Sequence, residues 1–196
     1  MRLTIVQAGE KVLRETARPL TKEEILGDEI QRLIADMRDT MRDAPGVGLA
    51  APQVGIPLQL AVIEDREEYQ RDSRPEQIAE RERRPVPFHV IVNPTITPAI
   101  DTRAEFQEGC LSVAGFVAVV PRWRQVRVEC LNERGEPRII EASGWYARIL
   151  QHEIDHLQGM LYVDRMLSRT FMTTDNYAQH WKNKTIDEIR SDLRAN

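Results

Sequence analysis

The chain has 196 residues, 41% of them hydrophobic and 30% charged, with a formal net charge of −4. That length suits one domain, or one domain with a tail, and the hydrophobic share is enough for an ordinary soluble core. An acidic balance argues against a general nucleic-acid binder, and no apolar run approaches the length of a membrane span.

The opening residues, Met1-Arg2-Leu3-Thr4, have neither the apolar core of a signal peptide nor Arg/Ser-rich transit character. Two cysteines, Cys110 and Cys130, are too few for a disulfide-framed secreted domain. A reducing cytoplasm is the expected compartment, and an organellar matrix is compatible if a leader has been removed. Residues 3–8 are short and apolar, an edge strand or an extended arm. Thr21 and Glu24 have the spacing of a capping box. Leu26, Ile30, Leu33, Ile34, Met37 and Met41 then share one helical face, and Pro45-Gly46 ends that helix. It is read as core packing without chemistry.

The run Gly46-Val47-Gly48-Leu49-Ala50-Ala51-Pro52-Gln53-Val54-Gly55 leads into a strand at 58–63. It lacks the Gly-Lys-Ser/Thr ending of a phosphate loop, and for the glycines alone a tight helix-to-strand connection is the better reading. Gln53 is the one polar side chain in it. A fixed amide donor beside a metal would suit a developing oxyanion. Residues 64–85 are dense in Glu, Asp and Arg, and read as a solvated insertion, part helical over 74–83. A strand follows at 89–92, with Asn93-Pro94 as a turn and His89 structural.

In Gln107-Glu108-Gly109-Cys110-Leu111-Ser112-Val113, Gly109 lets the backbone turn just before Cys110. That cysteine reads either as a buried apolar residue in a strand or as a thiolate ligand. Strands are expected at 115–120, 124–131 and 137–142, with Cys130 a small core residue and Asn132-Glu133-Arg134-Gly135-Glu136 a hairpin turn.

Residues 145–158 carry no Pro or Gly, Ser143 is placed as N-cap, and Gly159 supplies a stop. Leu150, Ile154 and Leu157 form one apolar stripe. Trp145, Ile149, His152 and His156 form a second, with Arg148, Gln151, Asp155 and Gln158 as a polar strip between them. A helix apolar on two sides belongs between two layers. In Gln151-His152-Glu153-Ile154-Asp155-His156 the i, i+4 spacing aims two imidazoles at one cation, with Glu153 placed to handle a proton of water. The competing reading is two core histidines hydrogen-bonded to backbone. A catalytic site of this kind needs a third protein ligand and one open position, and Cys110 is the available soft donor. Beyond the helix, residues 161–164 read as a short strand or extended closure. The tail is polar and peripheral, with an amphipathic tendency at Ile186, Ile189 and Leu193.

Gly46 to Gln53, Glu108-Gly109-Cys110-Leu111-Ser112 and Gln151 to His156, in that order, resemble the three motifs of the peptide deformylases, and the likeness extends over residues 3–165. The charged insertion and the run 143–150 resemble the branch that includes organellar enzymes. The resemblance implies that Cys110, His152 and His156 hold one divalent metal, Fe(II) in the cell, with Zn, Ni or Co able to substitute. It implies Glu153 as general base and acid, and Gln53 with the Leu111 N–H as the oxyanion hole. Gly46, Val47, Gly48 and Gly109 would pair with substrate backbone, and Val47, Trp145 and Ile149 would line the methionine pocket. The family often has Pro at 114 and Arg at 117, where this chain has Ala114 and Val117, the second removing a cation near the peptide site.

The implied activity is removal of the N-formyl group from formyl-methionyl peptides, releasing formate. Contact with the ribosome near the nascent chain is left open, and neither DNA nor a membrane is an expected partner. The expected fold is α+β: small antiparallel sheets around a central buried metal helix, with the N-terminal helix packed outside. Residues 1–165 would be the catalytic unit and 166–196 a polar extension. Two rivals are weighed. A zinc endopeptidase would take its third ligand downstream, with Glu188 the available carboxylate. A structural metal staple would need four protein ligands.

Overall fold

The computed structural model describes residues 1–71 and 75–195. Arg74, the first residue of the helix predicted over 74–83, lies outside them. The helices are α1 (Lys22–Leu26), α2 (Asp28–Asp43), α3 (Pro75–Glu80), α4 (Gly144–Leu157), α5 (Thr174–Asn176) and α6 (Ile186–Leu193). The strands are β1 (Gly48–Ala50), β2 (Leu60–Asp65), β3 (Val86–Pro98), β4 (Arg103–Cys110), β5 (Val113–Trp123), β6 (Gln125–Leu131), β7 (Pro137–Ser143) and β8 (Met172–Thr173). They form an antiparallel sheet in the order β1-β2-β3-β6-β7 and a second in the order β4-β5-β8. This is the α+β arrangement expected.

Strand periodicity explains the layering. On β2, Leu60 and Val62 pack with Ile30, Ile34, Met37 and Met41 of α2. Ala61 and Ile63 point the other way, into a cluster with Ala147, Leu150, Ile154 and Leu157 of α4. Alternate residues of a strand face opposite sides, so β2 is covered on both faces and reads as an unbroken apolar run. On β6, by contrast, Val126, Val128 and Cys130 turn inward while Arg127 and Glu129 stay out. Ala118 and Val120 of the second sheet form a separate cluster with Tyr162, just beyond α4, and Cys110 packs against it. Each of Leu150, Ile154 and Leu157 is 2% exposed or less, worth about 1.5–3 kcal/mol apiece against leaving it in water.

Several local expectations change. The capping box at Thr21 and Glu24 forms, but it starts only α1. Gly27, in extended conformation, separates α1 from α2, which leaves Leu26 exposed and off the apolar face. Asn93-Pro94 is not a turn. β3 runs straight through, shifting register between Val92 and Thr95 as it passes from β2 to β6. Asn93 takes φ +50°, a value asparagine tolerates, and its amide clasps the backbone of Leu20 through bonds of 2.9 and 2.8 Å. Residues 162–164 form a 3₁₀ turn rather than a strand. Ser143 occupies the N-cap of α4 without a side-chain bond to it.

The 64–85 segment is less solvated than its composition suggests. Glu64 and Asp65 end β2 buried, the first paired with Arg42 at 2.7 Å and the second with Arg83 at 2.8 Å. The guanidinium groups of Arg81 and Arg83 lie over the Trp145 ring, 4.9 and 5.4 Å from its centre. The tail is docked rather than free: β8 adds a third strand to the second sheet, and Ile189 of α6 is buried. No helix among the described residues is long and apolar enough to cross a membrane.

Candidate metal centre and active site

Close approach of β1 to α4 requires Gly48. A Cβ there would sit 2.2 Å from Glu153 Oε1, and one at Gly46 would sit 2.9 Å from Leu111 Cδ1. Glycine alone lets these backbones come so near. Just after β1, the Gln53 side chain is buried and locked: its Oε1 accepts from Ala50 N–H at 2.9 Å. That bond fixes the amide's orientation. Nε2 therefore points toward Ser112 Oγ, 3.3 Å, and Cys110 Sγ, 3.5 Å.

Register slips between Gly109 and Cys110, at the end of β4. This bulge re-aims Cys110. Its sulfur accepts from Ser112 N–H at 3.4 Å and lies 3.3 Å from His156 Nε2. On α4, one helical turn apart, the His152 and His156 rings sit 5.0 Å centre to centre. His152 Nδ1 is held by Glu108 Oε2 at 3.0 Å, which turns Nε2 toward Cys110.

Sulfur and the two imidazole nitrogens lie within 4.8 Å of one another. Among the described residues this is the one cluster of His, Cys, Asp or Glu that could hold an ion, and it has three members. The donor set fits a borderline-soft divalent cation, and three protein donors leave a position open. The ring orientation fits too, because a carboxylate gripping the far nitrogen is the usual support for a metal-ligating histidine. Glu188 takes no part. It is exposed and forms the capping box of α6 with Thr185.

Beside this cluster Glu153 is 4% exposed and its Oε2 has no hydrogen-bond partner. Burial pushes its carboxyl up to about 7. Burial likewise holds the His156 imidazole well below its ordinary value. Burial alone would lower His152, but hydrogen bonds to Cys110 and Glu108 outweigh it and raise that imidazole well above its usual range.

The polar strip on α4 is buried along with the two apolar stripes that flank it. Arg148, Gln151 and Asp155 are 3%, 8% and 5% exposed. Arg148 donates to Glu108 Oε1 at 2.6 Å and to the carbonyls of Val120 and Ala104. Gln151 bonds both backbone groups of Trp123. Asp155 joins Arg122 at 2.5 Å and Arg165 at 2.7 and 2.8 Å. Arg122 makes a two-bond fork to Glu108, 2.9 Å each. Burial pushes the Glu108 carboxyl up, yet Arg122 outweighs it and keeps the group well below the usual carboxylate range. The support network of Glu108, Arg122, Arg148 and Asp155 was missed from the sequence. One signal was present: Glu108 lies two residues before Cys110 on the strand that carries the sulfur donor.

A pocket of about 330 Å³ gathers the sequence-predicted residues. Gly46, Val47, Gly48, Gln53, Gly109, Cys110, Leu111, Trp145, Ile149, His152 and Glu153 all line it. His156 sits behind the lining, 1% exposed. Phe116 and Thr174 also line it and were not anticipated.

An α+β fold closed around a His-Glu-x-x-His helix, with a cysteine from a facing strand, defines the class: a protein with a Cys-His-His group that could hold a metal ion beside a buried carboxylate. The profile of the polypeptide deformylase family matches residues 2–171, and the chain belongs to that family. It is 49% identical over 172 residues to the chloroplastic peptide deformylase 1A of Solanum lycopersicum, covering 88% of this chain and 62% of that protein. It is 45% identical over 167 residues to the mitochondrial peptide deformylase of Homo sapiens, covering 85% and 69% respectively. The chain therefore spans less than two thirds of the tomato relative's own length. Among solved structures, a Met-Ala-Ser-bound class I type b peptide deformylase from Acinetobacter baumannii superposes with TM-score 0.75 at 32% identity, over 85% of this chain and 99% of that one.

Proposed function

We propose that this chain is a metal-dependent hydrolase that removes the formyl group from the N-terminal formyl-methionine of newly made polypeptides, releasing formate. The observation that carries the reading is the convergence of Cys110 Sγ with the His152 and His156 nitrogens beside a buried, unpartnered Glu153 carboxylate. A divalent cation held by these three donors supplies the Lewis acidity that makes water nucleophilic near neutral pH. Fe(II) is the ion assigned in the cell, with Zn, Ni or Co as substitutes.

The chain's own groups do the rest. Glu153 takes a proton from the attacking water and returns it to the leaving amine, so formate and a free methionine amine result. Gln53 Nε2 and the Leu111 N–H donate to the oxygen on which charge develops. The locking of Gln53 by Ala50 supports this role, since a donor already in place costs no reorganisation. Gly46, Val47, Gly48 and Gly109 pair with the substrate backbone as an added strand. Val47, Trp145 and Ile149 receive the methionine side chain. The buried apolar setting favours a formyl carbon bearing only hydrogen over an acetyl group, by about 1–3 kcal/mol for the methyl.

Residues 1–165 are assigned as the catalytic unit and 166–196 as its extension. The partners assigned are formyl-methionyl peptides, with the ribosome as the place where such chains emerge, and neither DNA nor a membrane is assigned. The compartment is a cytoplasm or an organellar matrix. The test is anaerobic purification with metal analysis, then a formate assay on a short formyl-methionyl peptide. Stoichiometric metal with formate release and no internal cleavage is expected. Internal cleavage without formate would point to an endopeptidase and end this reading.

A further inference from the structure

A second pocket, of about 290 Å³, shares only Arg148 with the candidate active site. The residue after α3 contributes Arg81 to it, the start of β4 contributes Arg103, and the end of β5 with the residue that follows contributes Arg122 and Arg124. With Arg148 of α4 that makes five guanidinium groups, against two carboxylates, Glu80 and Glu82. None of the proposed reaction steps uses this pocket.

The carboxylates nearby do not balance these charges. Glu108, which lines the first pocket, pairs with both Arg122 and Arg148. Glu82 is taken by Arg124 at 2.6 Å, and Glu80 is exposed. Arg81 and Arg103 form no ion pair among the described residues, yet aromatic rings fix both. Arg103 lies 4.3 Å from the centre of the Trp123 ring, and Arg81 lies 4.9 Å from that of Trp145 and 5.6 Å from that of Phe106. Stacking orders a guanidinium in advance while its edge keeps N–H donors to offer, the form in which arginine grips an oxyanion in two-bond fashion. The crowding of like charge shows at Arg148. Burial pushes its guanidinium down to about 10, and repulsion from Arg122 and Arg81 acts in the same direction.

We propose that this pocket is a binding site for a small phosphate-type oxyanion, gripped by Arg81 and Arg103 in the field of the buried Arg148. Charge selects the ligand. Counting Glu108 with Glu80 and Glu82, five guanidiniums meet three carboxylates, a surplus of two positive charges. A phosphate carries about −1.5 to −2 near neutral pH and has three or more oxygens to share among several arginines. A lone carboxylate would cancel only half of the surplus. The same chemistry is offered by free phosphate and by a phosphate monoester. The Trp123 and Phe106 rings in the lining give the organic part of a monoester an apolar wall to rest on.

The test is titration calorimetry on the full-length, metal-loaded protein with inorganic phosphate and with adenosine monophosphate, at an ionic strength fixed by chloride. Saturable binding is expected. Arg103→Gln should weaken it about tenfold or more, the loss of a charge-assisted hydrogen bond, while circular dichroism and the thermal midpoint stay unchanged at this exposed position. Glu82→Gln removes a carboxylate from the lining and frees Arg124, so it should tighten binding by up to about fivefold, a gain that no misfolded variant produces. Adenosine monophosphate binding no tighter than phosphate would name the free ion as ligand, and binding tighter would name a monoester; either result keeps the site. Affinity unchanged in Arg103→Gln would put the phosphate elsewhere, at the metal for instance, and overturn the site. So would the absence of saturable binding, or a Glu82→Gln protein that binds no more tightly than the unaltered one.

Discussion

Replacing Glu108 by glutamine tests whether His152, a proposed metal ligand, is held by a charge buried behind it. Glu108 accepts four bonds from cationic or imidazole donors: two from Arg122 at 2.9 Å, one from Arg148 at 2.6 Å and one from His152 at 3.0 Å. Glutamine keeps the shape, and its oxygen still serves Arg122 Nε and Arg148. Its amide NH₂ then faces Arg122 Nη2 and His152 Nδ1, donor against donor. Two buried donors lose their acceptor, at about 1–3 kcal/mol each, and the two arginines lose a buried counter-charge. A total loss of about 3–5 kcal/mol is expected, the range for breaking a buried ion pair by removing one partner. Urea unfolding of the metal-free protein measures this directly, without contribution from a bound ion. With its ring released, His152 should also hold metal about 10–100-fold less tightly, read by competition with a chelator. A Glu108→Gln protein with an unchanged urea midpoint and unchanged metal affinity would refute the idea that this network supports the site.

Four further outcomes follow from the same geometry. Glu153→Ala should bind metal in full and lose about 10²–10⁴ in turnover; formate release at the original rate would remove Glu153 from proton transfer. Cys110→Ser should lower metal content after dialysis while the apo fold persists, and full metal retention would take the sulfur out of the ligand set. Gly48→Ala should displace the Glu153 carboxylate, because the new methyl would lie 2.2 Å from its oxygen. Turnover should drop while Cys110, His152 and His156 still retain metal, and an unaltered kcat would show that the carboxylate has room to spare. Arg42→Gln concerns stability alone. Arg42 holds the Glu64 carboxyl below its ordinary value of 4.5, so the pair stabilises the fold above that pH and the contribution fades as pH falls through the depressed value. With Arg42 partly in water, the loss at pH 7 should stay within about 1 kcal/mol. The unfolding midpoints of the two proteins should converge in acid, and a gap that widens there would reverse the sign of the argument.

Much of the site was readable because its chemistry sits on short-range patterns. The i, i+4 spacing of His152 and His156 is a property of any α-helix. The stop at Gly159, with φ +73°, follows from one residue's freedom to adopt a conformation others avoid. Alternation put Val126, Val128 and Cys130 on the inner face of β6 before any neighbour was known. What stayed hidden depends on partners far away in the chain. Arg148, Gln151 and Asp155 read only as a polar strip, without partners, until the backbone of Trp123 and the side chains of Glu108, Arg122 and Arg165 arrive to satisfy them. Arg81 and Arg83 look like part of a charged surface run until Trp145 offers a face to lie on. The tail looks peripheral until β8 finds the open edge of β5.

The amino-acid order alone determined the His-Glu-x-x-His helix, the facing of its two imidazoles, the glycine loop and the alternating strands, since each depends on dihedral preference and periodicity within a few residues. Only the tertiary structure decided which polar groups are buried, which carboxylate grips His152, and which segment walls the pocket mouth. Burying a charge is favourable only where a partner of opposite sign is already held in place, and that partner is supplied by strands and helices tens of residues distant.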